Sequence, residues 1–138
     1  MNFQEEFDLL IHDYSLGKIS SEPIVSLMLN NVSNNKEYFV FVVPVNKTLD
    51  LKKASKATNS KSIEMIPQKQ LLPLTGYIHG GCSPIGLKKP FLVTIDSSAK
   101  NFSSLIFSGG KIGYQVEMSL DELKKVIKFE LKELVFQA

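Results

Sequence analysis

Residues 76–90, GYIHGGCSPIGLKKP, gather four glycines, two prolines, a histidine, the only cysteine and a serine into one short stretch. Three chemistries are open to such a segment. Cys82 with His79 three residues earlier could form a thiol nucleophile and its base, but that pair needs a third group to orient the base, and none stands nearby. The serine-hydrolase elbow G-x-S-x-G is absent, so Ser83 has no nucleophile setting either. A phosphate cradle needs G-x-x-x-x-G-K-[ST] spacing, whereas Pro84 and Pro90 remove amide donors here. The third option is that backbone does the work. Gly80 and Gly81 have no Cβ, so a ligand can approach their amides, Pro84 stiffens the chain, and Gly86 permits a further reversal. Fixed N–H groups of this kind can hold negative charge developing on a carbonyl oxygen. On spacing alone, a simple structural turn linking two sheet segments explains the glycines equally well.

The elements that must carry this loop are legible from periodicity. Phe3, Phe7, Leu10 and Ile11 share one helical face and predict a short amphipathic helix over 3–11. PIVSLMLNN (23–31) and YFVFVVPV (38–45) predict paired strands across an Asn-rich turn. LDLKKASKA (49–57) predicts a helix with Lys52, Lys53 and Lys56 on its polar face. KSIEMI predicts a strand, and Pro67 suits the first turn of a helix. FLVTID (91–96), SSLIFS and YQVEM (114–118) predict further strands, with SSAKNF as a capped turn or short helix and GGKIG (109–113) as a tight turn. Ser119 with Glu122 forms a capping-box pattern opening a helix over 119–127. KELVFQA suits a closing strand. Helices and strands mix without a βαβ repeat, so the fold class is α+β around a mixed sheet, a single domain over 1–138.

Composition bounds the partners. One cysteine makes no internal disulfide, which fits a reducing, cytoplasmic setting. Two histidines and one cysteine leave a structural zinc site improbable, and neither a metal nor a cofactor is expected. The longest apolar runs are too short to span a bilayer, so no membrane partner is expected. The net charge of +2 conceals an asymmetry. Residues 1–35 carry one lysine against five carboxylates, residues 36–116 eleven lysines against four, and residues 117–138 four against five. A basic middle can attract a polyanion, although most surface lysines simply solvate. All sixteen basic residues are lysine. Bidentate arginine readout of base edges is therefore excluded, and nucleic acid would be held by backbone charge, by shape, or by a pocket for its end.

TGYIHGGCSPIGLKK, then TIDSSA, then SSLIFSGGKIGYQVEMSLDEL, in that order and preceded by LDLKKASKA and KSIEMI, resembles the YbaK/EbsC group of the prolyl-tRNA editing-domain family. The resemblance runs from about Leu49 to Val126. It implies an α+β fold on a mixed, barrel-like sheet with flanking helices. The implied activity is deacylation of mischarged tRNA, chiefly cysteine on proline tRNA, by an enzyme working in trans. Gly80 and Gly81 would supply the oxyanion donors. Ser83, Pro84 and Gly86 would line the pocket for the aminoacyl end, opposite Ser108, Gly109 and Gly110, with Asp96 in support. An aminoacyl ester is already activated, and a cysteinyl substrate can use its own thiol, so Cys82 need not attack. The implied partners are the 3′ end of aminoacyl-tRNA and prolyl-tRNA synthetase. Two departures stand out. Val25 occupies the place of a lysine in the family pattern F-K-T-L, and the N-terminus is short. Lys52 or Lys53 is the candidate replacement for that lysine, and a catalytically silent member that binds tRNA ends or a partner protein is the alternative reading.

Overall fold

A computed structural model of the chain describes residues 21–34, 36–78, 81–89 and 91–136. The helix expected over 3–11 lies outside them, as do His79 and Gly80. Seven strands form one mixed sheet: β1 (Ser21–Asn31), β2 (Tyr38–Pro44), β3 (Ile63–Met65), β4 (Leu92–Asp96), β5 (Ser104–Ser108), β6 (Gln115–Met118) and β7 (Phe129–Lys132). The path runs β6-β5-β1-β2-β4-β7, with β3 pairing β1 off that path. Three short helices accompany it, α1 (Leu51–Ala57), α2 (Leu71–Thr75) and α3 (Leu120–Lys124).

Strand alternation divides the interior in two. Ile24 and Met28 of β1, Val40 and Val42 of β2, and Val93 and Ile95 of β4 point into one cluster. Leu29, Phe39, Phe41 and Val43 point into the other, which Ala54 of α1 helps to close. The larger cluster is also touched by Val116 and Met118 of β6 and by Phe129 and Leu131 of β7. Both terminal strands of the path therefore wrap the same core, the barrel-like arrangement expected. Phe41, Leu29 and Ile95 are fully buried, each contributing about 2–3 kcal/mol by burial.

β1 is the organising strand. Along one edge it pairs with β2 in antiparallel register from Ile24↔Pro44 to Asn30↔Tyr38. Its other edge is shared: β5 pairs in parallel with Ser21–Pro23, and β3 antiparallel with Leu29–Asn31. Between them, among the described residues, the strand edge at 24–27 joins neither ladder, while Met28 O accepts from Ile66 N at 3.3 Å. The Ser108 turn leaves β5 beside this opening.

Local signals account for most boundaries. Asp50 caps α1, its Oδ1 accepting from Lys52 N at 2.9 Å. Ser119 and Glu122 complete the reciprocal capping box at 3.1 and 3.0 Å. Two expectations need correction. After Pro67 the chain makes a 3-10 turn (Gln68–Gln70) before α2 rather than one continuous helix. The closing strand is FELK at 129–132, parallel to β4, rather than KELVFQA, which keeps only the Leu49↔Val135 bridge. Phe129 and Leu131 alternate inward with Glu130 and Lys132 outward, and this half-buried pattern outcompeted the more apolar segment after it.

Candidate active site

The loop after α2 is assembled around a buried threonine. Thr75 Oγ1 donates to Leu71 O at 2.7 Å and accepts from Tyr77 N at 3.0 Å, while Thr75 O accepts from Lys88 N at 3.1 Å. Both ends of the loop are thus pinned to one residue. Gly76, at φ 83, ends α2 in the left-handed conformation and turns the chain outward. Ile85 and Leu87 fold back onto the larger core.

Tyr77 joins this loop to the β5–β6 turn. Its hydroxyl donates to Ile85 O. A Cβ on Gly86 would stand 2.9 Å from the Tyr77 oxygen, and one on Gly110 3.0 Å from its ring. Both glycines also have positive φ, 71 and 101. The two motifs therefore require glycine for two reasons at once, backbone conformation and the volume of one tyrosine ring. A Cβ on Gly81 would come within 3.4 Å of Ile112 N. The loop and the turn abut at a common seam.

The turn has its own fixings. Gly110 N donates to Ser108 Oγ at 3.1 Å, Gly109 N to Tyr114 O at 2.9 Å, and Tyr114 N to Lys111 O at 3.1 Å. The turn bearing Ser108, Gly109 and Gly110 meets the loop bearing Gly81, Ser83, Pro84 and Gly86 at two places, Gly110 beside the Tyr77 ring and Gly81 beside the Lys111–Ile112 backbone. Ser83 is buried and accepts from Ile85 N at 3.2 Å, which tightens the loop.

Gly81 corrects one detail. Its amide donates to Ile78 O at 2.9 Å, so this N–H is not a free outward donor. Burial pushes the Cys82 thiol above the usual range, with a hydrogen bond to Thr75 pulling the other way.

Lys52 and Lys53 do not join the seam. They ride on α1, whose Ala54 packs into the cluster on the opposite side of the sheet from Ile85 and Leu87. Lys53 Nζ donates to Val135 O at 2.8 Å. Lys52 instead lines an open groove of about 400 Å³ with Lys56, Lys61, Ser55, Ser60 and Ser62, and no carboxylate is among its lining residues. Val25 packs against the same α1-side cluster. Asp96 is a clasp. Buried at 4% exposure, it accepts from Leu134 N at 2.9 Å and from Ser98 N at 3.2 Å and Oγ at 2.5 Å. It ties the end of β4 to the C-terminal segment and stands apart from the glycine seam.

Sequence reading missed Thr75, Tyr77 and Ser26. Ser26 alternates toward the larger core at the open stretch of β1, and its buried hydroxyl has no hydrogen-bond partner among the described residues. The signal for Tyr77 was its place one residue after the helix-ending Gly76. Nothing in one sequence marks the other two.

Comparison with known proteins identifies the family and the fold. The family model described as the aminoacyl-tRNA editing domain matches residues 15–126. A proposed Cys-tRNA(Pro)/Cys-tRNA(Cys) deacylase, EbsC of Enterococcus faecalis (strain ATCC 700802 / V583), is 41% identical over 106 residues. That match covers 77% of this chain and 65% of EbsC, so the chain spans less than two thirds of that relative's length. Among solved structures, a proposed trans-editing enzyme for prolyl-tRNA synthetase superposes with a TM-score of 0.77 at 19% identity, covering 91% of this chain and 78% of that one. Hypothetical protein APE2540 gives 0.77 at 18%, covering 98% and 84%; at such identities these two matches speak to fold alone. No helix among the described residues is long and apolar enough to cross a membrane. On the extent of the family match, the chain belongs to the aminoacyl-tRNA editing-domain family.

Proposed function

We propose that this chain is a trans-acting aminoacyl-tRNA deacylase acting in the cytoplasm, with cysteine esterified to proline tRNA as its substrate. The observation that carries the reading is the convergence of the two glycine motifs on Tyr77, in a chain 41% identical to a proposed Cys-tRNA(Pro) deacylase. Ser83, Pro84 and Gly86 form one wall of the aminoacyl pocket on this reading, and Ser108, Gly109 and Gly110 the other. Gly81 gives the carbonyl room to approach. Because its amide donates to Ile78 O, the oxyanion donors are assigned to the flanking amides of Gly80 and Cys82. Each such donor is worth about 3–4 kcal/mol of barrier.

The high thiol pKa direction of Cys82 agrees with a mechanism that needs no protein nucleophile. The substrate's own thiol attacks its ester carbonyl, the ribose oxygen leaves carrying the thiol proton, and water then opens the cyclic thioester to free cysteine. The partners on this reading are the aminoacylated 3′ end of tRNA and, as for the proposed trans-editing enzyme of similar fold, prolyl-tRNA synthetase.

Incubation with cysteinyl- and alanyl-tRNA for proline tests the proposal. Cysteine is expected to be released much faster than alanine, which has no thiol. Release no faster than buffer hydrolysis for every charged tRNA defeats it. One observation favours a second reading, a silent member that binds tRNA ends. Val25 sits in an apolar cluster where the family pattern has lysine, and Lys53 is held by Val135 O. Activity that appears only in Val25→Lys would decide for it.

A further inference from the structure

Large apolar side chains exposed singly are ordinary on a protein surface, but several at one place mark a binding site. Ile78 is 49% exposed, Ile112 59% and Tyr114 64%, and all three lie at the seam. Ile78 is tied to Gly81 by the 78–81 hydrogen bond, Gly81 abuts the Ile112 backbone, and a Cβ on Gly109 would meet Tyr114 Cβ at 3.4 Å. Lys111 holds its ammonium 6.0 Å from the centroid of the Tyr114 ring. No carboxylate occurs between Ser104 and Val116, so the charge presented by this turn is positive.

We infer that Tyr114, flanked by Ile112 and Ile78, is a stacking platform for the terminal nucleobase of the RNA substrate, with Lys111 facing its phosphate. The inference rests on the deacylase reading for the identity of the ligand and extends it to a nucleoside subsite. Its physical basis is the combination used by proteins that hold single strands without reading sequence, an exposed aromatic face beside a cation. Position adds to this. The ester carbonyl is joined through one ribose to its own base, so a carbonyl delivered to Gly81 brings that base to within a nucleotide's reach, where Tyr114 and Ile112 are exposed. An absence of arginine makes stacking plus point charge the available recognition mode.

The test uses the full chain and an uncharged trinucleotide, CpC followed by 2-aminopurine in place of the terminal adenine, whose fluorescence falls on stacking. Wild type and Tyr114→Phe are expected to quench it with dissociation constants within about twofold of each other. Tyr114→Ala is expected to weaken binding about tenfold or more, as loss of one stacked base does. The ring is mostly exposed, so folding of this variant is checked simply by an unchanged melting temperature. Equal binding by Tyr114→Ala, or no quenching by wild type, overturns the platform. So does a concentration-dependent dimer that Tyr114→Ala abolishes without any trinucleotide quenching, since the patch would then belong to a second copy. Because the probe carries no ester, the two readings fail separately. Tyr114-dependent quenching without deacylation sinks the enzyme reading alone, and deacylation unaffected in KM by Tyr114→Ala sinks the platform alone.

Discussion

The two sides of the sheet present opposite kinds of surface. On one, the glycine loop and the β5–β6 turn meet through backbone, with positive φ at Gly86 and Gly110 and a tyrosine ring filling the room that two missing Cβ atoms leave. On the other, α1 presents Lys52 and Lys56, four residues apart and so on one helical face, beside Lys61. The first surface is fixed by sterics and tolerates almost no change of shape. The second is held by long, solvated side chains and responds to charge and salt. A site that positions a scissile bond belongs on the first kind, and a surface that attracts a polyanion belongs on the second.

Substitutions that break this contrast rank by size. Gly110→Val puts a β-branched side chain at φ 101 and 3.0 Å from the Tyr77 ring, adding strain on the order of 1–3 kcal/mol and displacing the turn. Deacylation should be abolished, with a melting temperature lowered by several degrees; unchanged turnover would remove the seam from the mechanism. Gly81→Val, whose Cβ would meet the Lys111–Ile112 backbone at 3.4–3.5 Å, presses its γ-methyl groups on the turn and should block turnover with a smaller fall in melting temperature than Gly110→Val, because no positive φ adds strain there.

Tyr77→Phe is next. It deletes the hydrogen bond to Ile85 O while keeping the ring, at about 0.5–1.5 kcal/mol in stability. Turnover should fall through kcat with little change in KM, as expected if Tyr77 positions the loop without touching substrate. A pure KM effect would make it a binding residue instead.

On the α1 side, charge reversal at Lys52, Lys56 and Lys61 should leave hydrolysis of a small aminoacyl ester unchanged. Affinity for tRNA should weaken at low salt, with the salt slope reduced by about one for each lysine that meets a phosphate. Identical salt slopes in wild type and variant would show that this groove meets no RNA.

The smallest effect is expected at Cys82. Burial raises its pKa, so its thiolate stays below the few per cent of an ordinary cysteine near neutral pH. Cys82→Ala should retain turnover, and the wild-type rate should show no enzyme-thiolate limb between pH 6 and 8.

Much of the fold was open to sequence reading because its signals are local. Asp50 and Ser119 cap helices through their own side chains, YFVFVVP is a buried strand wherever it pairs, and Gly109–Gly113 has few alternatives to a turn. FELK escaped notice because its partner β4 lies more than thirty residues away, and a short alternating segment has no strong character before it pairs. The same limit applied at the site. Glycine spacing identified the two turns, yet the roles of Thr75 and Tyr77 come from contacts between segments that sequence order separates. The candidate lysine replacement needed the same kind of information, since the side of the sheet that carries Lys52 and Lys53 is set by where Ala54 of α1 packs.

By itself, the sequence determined the α+β class, most strand and turn positions but not the closing strand, the two glycine motifs and the absence of arginine, all of which depend on residue type and short-range period. Only the tertiary structure decided that both motifs close on one tyrosine, that the Gly81 amide is already engaged, and that the lysines face away. Those outcomes depend on which side of a strand each neighbour packs, and a one-residue alternation sets that side only once the partners are in register.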